Sequence, residues 1–182
     1  MLQVLKKKEA ELSKSRRYKK TLNFIQNSQN TPKTLFDIGT PNELGAFLYS
    51  NGFTVINTEK IDLDIHPEAV QPSHQADAAT AFEIFEHLIN PMGVLQNITC
   101  DHLFASIPLR LWFSKAYRNR NNEWDQHYHE FEDWQFDWLL AKSGWSVIRR
   151  EKWTNPPLVP GIRPLLRLFT PRYYIVEAKR IK

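Results

Sequence analysis

The segment TLFDIGTPNELGAFL, residues 34–48, constrains this chain more than any other. An apolar-rich strand, 34–38, runs into Gly39, and helical spacing begins after Asn42 with Leu44, Phe47 and Leu48 at i, i+3 and i+4. A strand that stops at an acid, Asp37, and a glycine beneath a helix N-terminus presents unsatisfied amides and lets the backbone come close to a ligand. Nucleotide-type ligands are held in this way. Two residues depart from the pattern. Pro41 and Glu43 stand where a ligand-cradling loop favours further glycines.

A length of 182 residues suits one domain with a real core. The apolar fraction of 42% and the six tryptophans exclude a disordered chain, because such side chains need burial or a ligand. Cys100 is the single cysteine, so no intramolecular disulfide forms; its plain role is that of a small buried hydrophobe. The first twenty residues lack the apolar centre of a secretory signal. No apolar run approaches the roughly 20 residues that span a bilayer. The expectation is a cytoplasmic protein without a transmembrane segment, in which the sequon Asn97-Ile98-Thr99 is accidental.

Charge is spread unevenly. Residues 1–20 carry eight Lys/Arg against two Glu and residues 149–182 carry nine against two, whereas 21–148 carry seven against sixteen acids. Basic ends suit a weak contact with an anionic surface. The plainer reading is a solvated helix face with contacts to the acidic middle. No nucleic-acid-binding motif accompanies the charge, which disfavours a nucleic-acid partner.

Residues 2–26 read as a basic helical arm, and a polar linker, 27–32, ends in a breaker. This divides the chain into an arm, 1–30, and a domain, 31–182. Strands are expected at 34–38, 54–58, 61–65, 77–82, 102–107, 145–151 and 172–179, and helices at 42–50, 85–98 and 130–142. Five prolines between 156 and 171 make 152–171 a long connection between the last two strands, which form an antiparallel hairpin.

Four local patterns in this order resemble the class I S-adenosylmethionine (SAM)-dependent methyltransferases over about residues 31–180. They are LFDIGTPNELGAFLYSNGF, ADAATAFEIFEHLINPMGVLQNI, HLFASIPL and HYHEFEDWQFDWLLAKSGW. The resemblance implies an α/β, Rossmann-like sheet, mostly parallel with a C-terminal antiparallel hairpin and shortened between its second and fourth strands. Seventeen residues between Glu59 and Asp77 must hold both a helix and a strand, and one of them is vestigial. It further implies that Asp37, Gly39 and Thr40 form the cofactor loop and that Phe82 and Glu83 face the cofactor. A carboxylate after the second strand would hold the ribose diol. Two registers compete for that acid, Glu59 and Asp64. Glu59 is preferred, with Asp62 or Asp64 then on the adenine side.

Glu83, Glu86 and His87 share a face if they open a helix, and two carboxylates with an imidazole suit a divalent metal. His127 or His129 could add a further ligand. The set is similar to that of metal-assisted O-methyltransferases, although Glu-His-Leu is common where no metal binds. There Glu86 and His87 line the substrate side. His127 and His129 are equally candidates for the general base that takes a proton from an acceptor hydroxyl. The segment 109–129 stands where the family places a substrate lid, and Trp112 and Tyr117 offer flat apolar surface to an acceptor. The reading is methyl transfer from SAM to an oxygen or nitrogen of a small-molecule or saccharide acceptor. A catalytically degenerate scaffold and an RNA 2′-O-methyltransferase are the alternatives.

Overall fold

The computed structural model describes residues 2–122, 124–155, 157 and 161–181, with side chains from Lys7 onward. Its strands are β1 (Thr34–Asp37), β2 (Thr54–Asn57), β3 (Ala78–Phe82), β4 (His102–Pro108), β5 (Trp145–Trp153) and β6 (Tyr173–Arg180). They form one sheet in the order β2-β1-β3-β4-β6-β5. The first four strands are parallel, and β6 lies antiparallel between β4 and β5. The helices are α1 (Leu2–Gln26), α2 (Glu43–Ser50), α3 (Pro91–Asn97), α4 (Asp133–Lys142) and α5 (Ile162–Phe169). The α/β class, the Rossmann-like sheet and the C-terminal hairpin are those anticipated from the sequence.

Period-2 alternation along the strands divides the core into two layers. Leu35 on β1, Phe104 on β4 and Ile175 on β6 pack with Leu22, Phe24 and Ile25 of α1 and with Leu44 and Leu48 of α2. Their neighbours Phe36, Leu103, Ala105, Tyr174 and Val176 point the other way, onto Val94 and Leu95 of α3 and Phe136 and Leu140 of α4. Because both faces are covered, the central strands read as near-continuous apolar runs. Trp145 is fully buried at the start of β5, and its indole N–H donates to the Leu95 carbonyl at 3.1 Å. Gly52, at φ 95°, follows α2 in the left-handed conformation that ends helices. No described helix is long and apolar enough to cross a membrane.

Four expectations are corrected. Residues 61–65 form a turn rather than a strand, because Asp62 Oδ1 accepts the Asp64 amide at 3.0 Å and the Asp62 carbonyl accepts the amides of Ile65 and His66. The stretch after it, Pro67–Gln75, is a 3-10 helix, since Pro72 has no amide for an α-helical bond. So the shortened middle keeps a tightened helix and loses the strand. The single helix expected over 85–98 is a 3-10 turn, Phe85–His87, followed by α3. Asn90 precedes Pro91 and is thereby kept out of helical conformation, and it caps α3 by accepting the Gly93 amide. α4 opens at Asp133 rather than at 130, behind a capping box of Glu132 and Gln135. The connection 152–171 is also more ordered than anticipated. β5 continues to Trp153, and α5 accommodates Pro164 in its first turn; Pro156 and Pro160 lie outside the described residues.

The end of α1 is tied to the far strands by one buried acid. Glu177 on β6 accepts from Ser28 Oγ at 2.5 Å and from Arg149 Nε at 2.7 Å, and it faces His102 Nε2 at 2.9 Å. Arg149 also donates to the Phe24 carbonyl and lies over the Phe24 ring. Burial depresses the affinity of His102 for a proton below its ordinary 6.5. For Glu177, burial is outweighed by the bonds from Ser28, His102 and Arg149, so its pKa falls below the ordinary 4.5. In both cases the unfolded chain binds the proton more readily, so stability is present at neutral pH and is lost on acidification. Urea unfolding should show a decline below pH 6.5 from His102 and a further one below 4.5 from Glu177. Glu177→Gln should cost about 2 kcal/mol at neutral pH and remove the lower step. A flat stability profile across this range would contradict the assignment.

Candidate functional site

The sheet order reverses around β1, with β2 on one side and β3 on the other. In open α/β sheets a crevice lies at such a point, outside the carboxyl ends of the strands. Here that crevice is a cleft of about 610 Å³. Gly39 and Thr40 border it after β1, Asp62 and Asp64 in the turn after β2, and Ile84 and His87 after β3. Its rim is apolar and open to solvent: Ile61, Ile65, Ile89, Trp124 and Tyr128 are all exposed and all line this one cleft. Exposed apolar side chains that converge on a single concavity mark a place where a flat ligand is covered.

One carboxylate shapes the cleft. Asp37 is buried at the end of β1. Its Oδ1 accepts from Thr80 Oγ1 of β3 at 2.8 Å, and its Oδ2 from Asn42 Nδ2 at 3.1 Å and Asn57 Nδ2 of β2 at 3.2 Å. Burial raises its pKa, against the pull of these three bonds. Asn42 turns its other side-chain atom to α2, where Oδ1 accepts the Gly45 amide at 2.9 Å as the helix cap. Gly39 adopts φ 136°, a conformation that side chains resist, and its amide donates to Thr58 Oγ1 at 2.9 Å. Asp37 therefore acts on the loop from beneath, with its oxygens already occupied by protein donors.

The two departures in the loop have visible partners or positions. Glu43, at the first turn of α2, is 2.9 Å from Lys14 and accepts from Tyr18 Oη at 3.4 Å, both from α1. Lys14 holds the Glu43 carboxyl below its ordinary range. Pro41 is exposed just before the cap.

The acids weighed for the ribose lie apart. Glu59 is exposed two residues beyond β2 and is not among the residues lining the cleft. Asp62 and Asp64 both line it. Asp64 spends its carboxylate on the amides of Ile89 at 2.9 Å and Asn90 at 2.7 Å, pinning the turn to the entry of α3. Phe82 is half-buried and packs toward the α1 face of the sheet.

Glu83 has φ 58°, the only left-handed non-glycine residue among those described. Such conformations cost about 1–3 kcal/mol and gather at functional sites. Its Oε1 accepts from Ser106 Oγ at 3.0 Å and its Oε2 lies 3.5 Å from Arg17 of α1. Among the described residues the candidate metal-ligating group is Glu86, His87 and His127, without Glu83. Ligand atoms of these three lie within 4.8 Å of one another.

Glu86 is 1% exposed, and its Oε2 has no hydrogen-bond partner. Burial first, and the Glu83 carboxylate second, push its pKa well above the ordinary value. His87 Nδ1 donates to the Gln126 carbonyl at 2.9 Å, and its Nε2 lies 3.7 Å from Glu86 Oε1. His127 Nδ1 faces Glu130 Oε1 at 3.3 Å, which leaves Nε2 free to accept. The two rings meet edge to face at 4.9 Å. Burial, and then His87, lower the pKa of His127, so it is neutral near pH 7. His129 is directed elsewhere: it stacks on Phe131 and faces the Ile89 carbonyl at 3.3 Å. Tyr117 leans on the His127 ring at 4.6 Å and donates to Asp125 at 2.7 Å, whereas Trp112 is 72% exposed against Phe113. Asn57, Thr58, Thr80, Ser106, Arg17 and Glu130 escaped the sequence reading; only their polar character could have signalled them.

Asp37→Ala should lower stability by about 2 kcal/mol, because three buried donors lose their acceptor at once. Urea unfolding measures this, and an unchanged midpoint would remove Asp37 from its place under the loop.

No protein-family model matches the sequence, and no curated protein matches it significantly. Solved structures match in fold. The 1,6-didemethyltoxoflavin-N1-methyltransferase of Burkholderia thailandensis superposes with a TM-score of 0.65 at 14% identity, covering 91% of this chain and 78% of that one. A SAM-dependent methyltransferase from Archaeoglobus fulgidus gives 0.60 at 11% identity, over 94% of both chains. The magnesium protoporphyrin IX methyltransferase of Synechocystis PCC 6803 gives 0.59 at 14%, over 95% and 86%. The cleft at the sheet reversal, the mostly parallel strands and the antiparallel hairpin are thus those of one architecture, and the chain has the fold of the class I SAM-dependent methyltransferases.

Proposed function

We propose that the chain transfers a methyl group from SAM to an oxygen or nitrogen of a small-molecule or saccharide acceptor. The observation that carries this reading is the cleft, with its backbone at Gly39 and Thr40, its acid at Asp62 and its exposed apolar rim. Structural neighbours with the same fold were solved with S-adenosylhomocysteine bound. SAM supplies an electrophilic methyl on a positively charged sulfur, so the protein's main task is alignment. Ile61, Ile65, Ile89, Trp124 and Tyr128 would cover the adenosine and exclude water. His127 would take the acceptor's proton at Nε2, with its Nδ1–H held toward Glu130.

With His127 as a ligand in place of the base, Glu86, His87 and His127 fit a divalent ion. The carboxylate with two imidazoles is a suitable donor set, and the orphaned Glu86 Oε2 supplies a buried lone pair. Such an ion would acidify an acceptor hydroxyl. A binding or scaffold role without catalysis is the second reading. It is favoured by the occupied Asp37 carboxylate and by Glu43, whose charge α1 has drawn into an ion pair. A cyclase among the structural neighbours, with a TM-score of 0.55 at 10% identity, underlines that this fold hosts more than one chemistry.

Isothermal titration with SAM and S-adenosylhomocysteine should give micromolar-type binding and a matching rise in melting temperature. Absence of heat and of any thermal shift at millimolar ligand would sink the enzyme reading. The same scan with Mn²⁺ should show stabilisation that Glu86→Gln abolishes. Once an acceptor is found, His127→Ala should lower turnover about 10²- to 10⁴-fold while leaving S-adenosylhomocysteine affinity intact. Equal turnover in the variant would exclude His127 as the base.

A further inference from the structure

Beside the His127 group, on the side of α5, lies a second cavity of about 340 Å³. Four cations line it: Lys115, Arg163, Arg167 and Arg172. Glu130 is the one acid lining it among the described residues, and its Oε1 is already committed to the Tyr117 amide at 2.8 Å and to His127. Lys115 and Arg163 make no ion pair among the described residues. Arg167 has Glu9 at 3.6 Å, but its Nε is buried without a hydrogen-bond partner. Arg172 gives Nη1 to the Leu109 carbonyl at 3.2 Å.

Four like charges around one small concavity repel one another and raise the local potential, so an anion there is favoured. Guanidinium forks match the paired oxygens of phosphate. The cavity is also joined to the candidate site. Tyr117 lines it and rests on the His127 ring, and Glu130 lines it and faces His127 Nδ1. We propose that this cavity is an anion subsite for the methyl acceptor, which makes the acceptor a molecule bearing a phosphate-type group. The acceptor assignment rests on the methyltransferase reading, whereas the anion subsite stands without it.

The phosphate could belong to a soluble ester or to a lipid head group. α5 makes the second source concrete, because Ile162 and Phe169 are 81% and 79% exposed and Leu165 and Leu168 join them, while Arg163 and Arg167 of the same helix border the cavity.

The full chain, without SAM, is titrated with inorganic pyrophosphate and separately with phosphatidylglycerol and phosphatidylcholine vesicles. Pyrophosphate or phosphatidylglycerol should bind, and phosphatidylcholine should not. The first result alone indicates a soluble ester and the second a lipid. Arg172→Met, and the exposed pair Lys115→Glu with Arg163→Glu, should each weaken binding at least about tenfold, a loss of 1.4 kcal/mol or more. The double variant should keep its melting temperature, which guards against a folding defect in Arg172→Met. Failure of both probes to bind, or binding indifferent to these substitutions, overturns the proposal. Either outcome leaves the SAM titration unaffected, so loss of one reading is distinguishable from loss of the other.

Discussion

A single buried charge sets the geometry on which the cleft depends. Taking a carboxylate out of water costs several kcal/mol unless its lone pairs are filled. At Asp37 they are filled from the cap of α2, from β2 and from β3. The donors that satisfy the charge therefore also fix how the carboxyl ends of three parallel strands and the start of one helix stand to each other. Asn42 links the two tasks, because one end of its amide serves Asp37 and the other caps the helix. None of these bonds uses the amide that proline lacks at position 41, which is why the loop holds its shape without the extra glycines.

Much of the sheet was legible because its strands are short apolar runs bounded by Gly, Asn and Pro, and because Asn42 and Gly52 bracket α2 clearly. The stretch at 61–65 misleads because Ile-Asp-Leu-Asp-Ile alternates like a strand. Asp62 instead bonds the amide of Asp64 beside it, Asp64 takes the distant amides of Ile89 and Asn90, and these bonds win over the period-2 pattern. Glu86 and His87 were legible as neighbours. Their meeting with His127 depends on a connection about 40 residues later that folds back so that Tyr128 and His129 amides reach the Glu86 carbonyl. Thr80 and Asn57 act through strand register, which one sequence does not display. Arg17 and Arg172 read as solvated charge until the fold brought the basic ends against the acidic middle, and Arg167 meets Glu9 of the other basic end.

That closing of opposite charges gives α1 more than a covering role. Lys14 and Tyr18 reach Glu43 at the start of α2, and Arg17 reaches Glu83 after β3, so one helix touches two of the three segments that border the cleft. The arm and the domain to which the sequence analysis assigned residues 1–30 and 31–182 share one continuous apolar layer through Leu22, Phe24 and Ile25.

The bond between Ser28 and Glu177 spans 149 residues of chain. Its closure entropy is among the largest that a chain of this size can meet, and the return comes only when both ends are in place. During synthesis the first helix emerges long before β6, so Ile25 and Phe24 can meet Leu35 of β1 and Phe104 of β4 before the last element completes their layer with Ile175. A chain cut short before β6 would keep the nucleotide-type loop in its sequence and lose the buried acid to which Ser28 and Arg149 are anchored.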